Sequence, residues 1–236
     1  MINYFYYILE VESLEIQLSS EIISKIPNFK LGVIEYKDIT VGDSPQMVKG
    51  RLQLFQESIY FDLENKNLTE LPGIQEYRSI FKTFGKDPNR YRPSVEALYR
   101  RVQKQNYITT VQSAIDINNF FSLQYQVPIG IYDTDKLVGT IKIEVAKAGE
   151  EYLGLNGRMN SLENLIVSYD QLGPFGSPFV DSERAPVTEA TKNALQIIYL
   201  QPSTAVNSAE RLTESLMKMF TQIHGGDANF YILGSQ

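Results

Sequence analysis

Apolar positions along the chain switch between two spacings, and the switches predict the elements. Tyr4–Val11 and Lys30–Val41 are dense in aromatic and β-branched residues, the second through Leu31, Val33, Ile34 and Ile39, and both read as strands. Behind Ser44-Pro45, a cap followed by a first-turn proline, Val48, Leu52, Phe55 and Ile59 recur at helical spacing. Gly73–Phe84 predicts a second helix with Tyr77, Ile80, Phe81 and Phe84 on one face, ended by Gly85. Two prolines and an asparagine make Lys86–Pro93 a turn-rich connection, after which Ser94 caps a helix over Val95–Gln103. Ser113 opens a fourth helix with Asp116 as acidic capping partner. Strands follow at Pro128–Tyr132, Thr140–Ala146, Leu165–Ser168 and Leu195–Leu200. A helix from Asn207 carries Leu212, Leu216, Met219, Phe220 and Ile223 to Gly225, and Asn229–Leu233 closes the chain as a strand.

Helices lead and strands follow without a repeating strand–helix–strand unit, which predicts an α+β fold with a mixed or antiparallel sheet and flanking helices. The 236 residues suit a single domain over 1–236, with a small amino-terminal lobe at about 1–70 packed on the main body. No apolar run approaches the roughly 20 residues that span a bilayer. The first ten residues lack the basic start and small-residue site of a signal peptide, so a cytoplasmic protein away from membranes is expected.

Composition then narrows the chemistry. With no cysteine there is no thiolate nucleophile or thiolate metal site, and with His224 alone no multi-histidine centre; neither metal nor cofactor is expected. His224, just before Gly225-Gly226, reads as a last-turn histidine favoured by the helix dipole. The formal net charge of −6 argues against a general nucleic-acid binder, and no DNA partner is expected. One segment departs from that average. Arg78, Lys82, Lys86, Arg90, Arg92, Arg100, Arg101 and Lys104 face only Asp87 and Glu96, so it reads either as one anion-binding face or as the solvated cations of two ordinary helices.

Several quoted stretches resemble one known family. Asp116-Ile-Asn-Asn-Phe-Phe-Ser-Leu-Gln-Tyr-Gln-Val-Pro128 followed by Ile-Gly-Ile-Tyr-Asp133-Thr-Asp-Lys136-Leu-Val-Gly139 is similar to the signature of the B3/B4 tRNA-binding and editing module of the phenylalanyl-tRNA synthetase β subunit. In that pattern an Asp-x-x-Asn helix leads through a proline into a strand that ends in Asp. The likeness extends through Ile141–Ala148, Gly149-Glu150-Glu151 and Leu165-Ile166-Val167. Phe84-Gly85-Lys86, Tyr91–Leu98 and Val187–Asn193 resemble free-standing members of the same family.

The resemblance implies a B3/B4-like fold and aminoacyl-tRNA as partner. It also implies hydrolysis of tyrosine wrongly attached to tRNA for phenylalanine, as the module performs within the synthetase. Two departures bear on that activity: Gly130 stands where the family pattern Pro-x-His-x-Phe-Asp has its histidine, and Gly173-Pro-Phe-Gly176 does not match the family's late glycine-rich segment. Nothing resembles the synthetase's aminoacylating core.

The candidate site residues follow. Asn118, Asn119 and Ser122 occupy one arc of a helix and either bind a ribose or aminoacyl group or cap the strand after Pro128. Gly130 leaves space beside them for a pocket, bordered in addition by Arg184–Thr188. Arg184, Thr188, Glu189 and Thr191 either line that pocket or begin the following strand. Asp133, Asp135 and Lys136 fit Asx-turn chemistry better than catalysis. Arg90 and Arg92, on a proline-limited loop before a helix, suit a phosphate. Were an ester hydrolysed, Asn118, Thr109 or backbone groups would position the water. Two functions remain open: a module that binds charged tRNA and hydrolyses a wrong ester in trans, or a non-catalytic one that recognises RNA, an amino-acid-like ligand or a protein.

Overall fold

The computed structural model describes residues 14–64 and 66–234. The strand expected over Tyr4–Val11 lies outside them. Short elements lead: β1 (Ile16–Leu18), α1 (Ser20–Lys25) and β2 (Lys30–Lys37). Four helices follow, α2 (Gln46–Asp62), α3 (Pro72–Thr83), α4 (Ser94–Gln103) and α5 (Ser113–Tyr125). Then come β3 (Ile129–Asp133), β4 (Ile141–Val145), β5 (Glu151–Leu153), β6 (Met159–Ser161), β7 (Ile166–Asp170), β8 (Gly173–Gly176) and β9 (Ala194–Leu200), with α6 (Val206–His224) and β10 (Asp227–Leu233) last.

The central sheet has the order β10-β2-β9-β3, every neighbour antiparallel. β2 and β9 are apolar on both faces because the sheet is covered on both. On one face Ile34, Tyr36, Ile131, Ile198 and Leu200 pack against Ile117 and Phe121 of α5 and Leu216 and Phe220 of α6. On the other, Leu31, Val33, Tyr132, Leu195, Ile197 and Tyr199 meet a second sheet, β1-β4-β7-β8, together with Tyr77, Ile80 and Phe81 of α3. β1 runs parallel to β4, so the architecture is a mixed α+β fold. A third apolar cluster joins Leu52 and Ile59 of α2 to Val95, Tyr99 and Val102 of α4. The amino-terminal seventy residues thus supply the central strand β2, paired on one side with β9 and on the other with β10.

The expected caps are corrected in two places. Pro45 is the N-cap of α2, and the Ser44 hydroxyl instead donates to Asp116 Oδ2 at 2.5 Å, tying two helix starts together. Ser94 is the first helical residue of α4 rather than its cap, and its N–H donates to Pro178 O at 2.8 Å. Asp116 does act at the start of α5, where Oδ1 accepts from the Val111 N–H at 3.0 Å.

Candidate functional site

Alternation along β3 decides the fate of the expected pocket. Ile131 pairs with Gln196 and Gly130 with Ile197, so the two residues point to opposite faces of the central sheet. Asn118 and Ser122 lie on the α5 face. There the Gln196 amide donates to Asn118 Oδ1, and the Tyr36 hydroxyl donates to Gln196 Oε1 at 2.7 Å. The Ser122 hydroxyl donates to Val127 O and closes the turn after α5, where Gln126 is left-handed. Asn118 and Ser122 are therefore paired and buried, Asn119 is half-buried beside them, and none of the three shares a cavity with Gly130. This corrects the expected convergence: a sheet stands between the two halves of that pocket.

The segment after β8 is also structural. Arg184 forms a two-pronged ion pair with Asp170, 3.1 and 2.7 Å, and donates to Gly173 O at 3.1 Å. Asp133 accepts from the Asp135 N–H at 3.1 Å and from the Thr191 hydroxyl at 2.8 Å, with Lys136 Nζ 3.3 Å away. The Thr188 N–H donates to Thr191 Oγ1 at 2.9 Å, and Glu189 is exposed. These residues fasten a loop to the end of β3.

Beside Gly130 the structure places a tyrosine. A Cβ on Gly130 or on Gly176 would meet the Tyr132 phenol, so the ring lies between two glycines and its edge meets Phe175 with centroids 4.7 Å apart. The Tyr132 hydroxyl donates to Asp181 Oδ1 at 2.7 Å, and the Ser177 N–H reaches the same oxygen at 3.2 Å. The Tyr152 hydroxyl sits 3.0 Å from Ser177 Oγ and donates to Val180 O; that of Tyr199 lies 3.1 Å from Ser168 Oγ. Burial pushes the Asp181 carboxyl up to about 7, against the opposing effect of the Tyr132 hydroxyl and the Ser177 N–H. Desolvation likewise holds the Tyr132 and Tyr152 hydroxyls well above the ordinary tyrosine range. Asp181 is half-buried, and neither bond involves Oδ2. Sequence reasoning missed Asp181; its one signal was Ser177 four residues before it in a loop rich in turn formers.

A raised carboxyl value fixes the sign of a pH effect. Folding favours the protonated form of Asp181, so its contribution is fully present below the ordinary carboxylate range and is lost as pH rises through about 7. Asp181→Asn keeps an acceptor for Tyr132 and Ser177 and removes the charge. Its melting temperature is expected to exceed the parent's at pH 8 and to lose that advantage at pH 5; a difference equal at both would contradict the assignment.

The cationic segment divides into two groups. Arg78 Nη1 bonds both oxygens of the fully buried Glu96, at 3.1 and 3.0 Å, and also Pro88 O at 3.1 Å, while Nη2 donates to Asn89 at 2.6 Å. Arg100 joins the same carboxylate at 2.7 Å. Lys86 is buried, donates to Ser161 O and Glu163 O at 3.1 and 2.6 Å, and lies 3.8 Å from the Tyr91 ring centroid. Arg78, Lys86 and Arg100, expected on an anion-binding face, therefore hold the fold together. Lys82, Arg90, Arg92, Arg101 and Lys104 are exposed and form no ion pair among the described residues. The loop bearing Arg90 and Arg92 is pinned against the Ser177–Asp181 segment: the Tyr91 and Phe179 rings are 5.6 Å apart, and Ser94 bonds Pro178. Two unpaired guanidinium groups thus stand on a fixed loop next to the segment that carries Asp181.

The model of a family described as B3/4 domain matches residues 76–220. The uncharacterized protein YhzB of Bacillus subtilis (strain 168) is 35% identical over 213 residues, which cover 90% of this chain and 96% of that protein. The phenylalanine–tRNA ligase beta subunit of Paramagnetospirillum magneticum is 30% identical over 105 residues, 43% of this chain but 13% of the subunit. Among solved structures, an N-terminal fragment of the phenylalanyl-tRNA synthetase beta subunit from Pyrococcus horikoshii aligns with a TM-score of 0.46 at 15% identity, over 94% of this chain and 55% of the fragment.

Proposed function

Because the chain belongs to the B3/4 domain family, we propose that it binds the aminoacyl end of a tRNA, with Arg90 and Arg92 holding backbone phosphate. The observation that carries this reading is the pinned loop: two exposed arginines outside any ion pair among the described residues, on a backbone fixed by the edge-to-face contact of Tyr91 with Phe179 and by the Ser94–Pro178 bond. Guanidinium forks on a fixed loop take phosphate oxygens at little conformational cost. Lys82, Arg101 and Lys104 are further exposed cations on α3 and at the end of α4. No helix among the described residues is long and apolar enough to cross a membrane.

Titrating tRNA against the protein over a range of salt concentrations tests the reading. Phosphate contacts release counterions, so affinity is expected to fall linearly on logarithmic axes, with a slope of about −0.7 to −0.9 per phosphate contacted. A flat response would remove phosphate recognition from the account.

A second reading, hydrolysis of a wrong aminoacyl ester in trans, is favoured by one observation. Asp181 keeps Oδ2 outside its two bonds, and its carboxyl is raised to about 7, in the range where a general base operates. The position of the family's histidine offers no such help, since Gly130 faces the Tyr132 phenol. Tyrosine-charged tRNA for phenylalanine is therefore expected to be hydrolysed weakly or not at all. Incubation with a panel of mischarged tRNAs, with Asp181→Asn as control, decides this: ester loss that disappears in the variant supports the second reading, and loss equal to the uncatalysed rate throughout removes it.

A further inference from the structure

Helix α2 presents two different faces. Val48, Leu52, Gln56 and Ile59 are buried, and the apolar members of that row join clusters shared with α4, α5 and α6. On the opposite face Met47, Leu54 and Phe61 are 48%, 68% and 69% exposed, among the most exposed large apolar side chains in the molecule. They are seven residues apart, so successive members drift by only about 20° around the helix and form one line about 21 Å long. Gly50 and Ser58 fall on the same line between them. The arrangement is symmetric about Leu54: Met47 and Phe61 lie seven residues to either side, Gly50 and Ser58 four.

We infer that α2 pairs with α2 of a second copy of this chain, antiparallel about a two-fold axis at Leu54. That operation sets Leu54 beside Leu54, Met47 beside the other copy's Phe61, and Gly50 level with the other copy's Ser58, where small residues let the backbones approach. A closed two-fold contact requires such self-complementarity, and a one-sided partner would not. Charge agrees with the choice of occupant. Arg51 and Asp62 are both exposed and flank the same side of the line, and neither is in an ion pair among the described residues. Antiparallel pairing brings each Arg51 within about 7.5 Å along the axis of the other copy's Asp62, within reach of the two side chains. One helix pair buries area at the small end of specific interfaces, where weak and transient contacts lie, so the dimer should dissociate on dilution.

The absence of cysteine allows a direct test on the full chain. Sedimentation of the parent between about 1 and about 200 µM should show monomer giving way to dimer, and Leu54→Asp, at an exposed helical position, should raise the dissociation constant about tenfold or more. Under mild oxidation Leu54→Cys should cross-link in good yield. Met47→Cys alone should not, since its two copies stand about 21 Å apart and a disulfide needs Cα atoms within about 7 Å. A mixture of Met47→Cys and Phe61→Cys should cross-link again. A monomer at every concentration, a dimer insensitive to Leu54→Asp, or equal cross-linking of Leu54→Cys and Met47→Cys would each overturn the inference.

Discussion

Glu96→Ala is expected to destabilise the protein by about 3–5 kcal/mol, because it leaves the largely buried Arg78 without its counter-charge. The Glu96 side chain is wholly buried and that of Arg78 is 13% exposed, so water cannot replace what is lost. Arg100→Ala is the contrasting case. Its side chain is 36% exposed, and its removal is expected to cost less than about 1 kcal/mol. Denaturant unfolding of the two variants checks the ranking; a Glu96→Ala protein within about 1 kcal/mol of the parent would show the pair to be dispensable. The effect bears on function through geometry. Arg78 also holds Pro88 O and Asn89, so the same variant loosens the loop on which Arg90 stands.

Gly130→Ala and Gly176→Ala are expected to cost about 1–3 kcal/mol or more each, by overfilling the space that Tyr132 occupies. A Cβ on Gly130 would stand 2.6 Å from Tyr132 Cζ, and one on Gly176 would stand 2.7 Å from Cε1. The ring cannot retreat, since glycines bracket it and Asp181 and Phe175 hold its hydroxyl and its edge. Tyr132→Leu should relieve both glycine variants, so the double variants lose less than the sum of the single ones. Strict additivity would mean that the ring and the glycines do not share that space. The same crowding predicts that Gly130→His destabilises the fold rather than restoring the family's histidine to use.

What the sequence made legible follows from what kind of signal each feature leaves. β2 and β9 stand out as runs buried on both faces, and α3, α4 and α6 keep a helical period over ten residues or more. β1, β5 and β6 are three residues long, too short for a period to appear, and β8 is Gly-Pro-Phe-Gly, which reads as a turn. The site was harder for a different reason. Asn118 and Gly130 are close in sequence, but the face on which each lies is set by the pairing of β3 with β9, more than sixty residues onward. Arg78 and Glu96 sit on separate helices eighteen residues apart, so no local spacing marks Arg78 as structural rather than free. Asp181 gains its character from burial and from the hydroxyl of Tyr132, which reaches it from β3, forty-nine residues earlier in the chain.

Equilibrium binding of tRNA to the parent and to the triple variant Arg90→Ala, Arg92→Ala, Arg101→Ala tests the central claim most directly. All three side chains are exposed, so the variant should keep the parent's melting temperature. Its affinity should fall about tenfold or more at moderate salt, and its salt slope should flatten by about 2 to 3 contacts. Unchanged affinity and slope in a folded triple variant would contradict the assignment of this face to RNA.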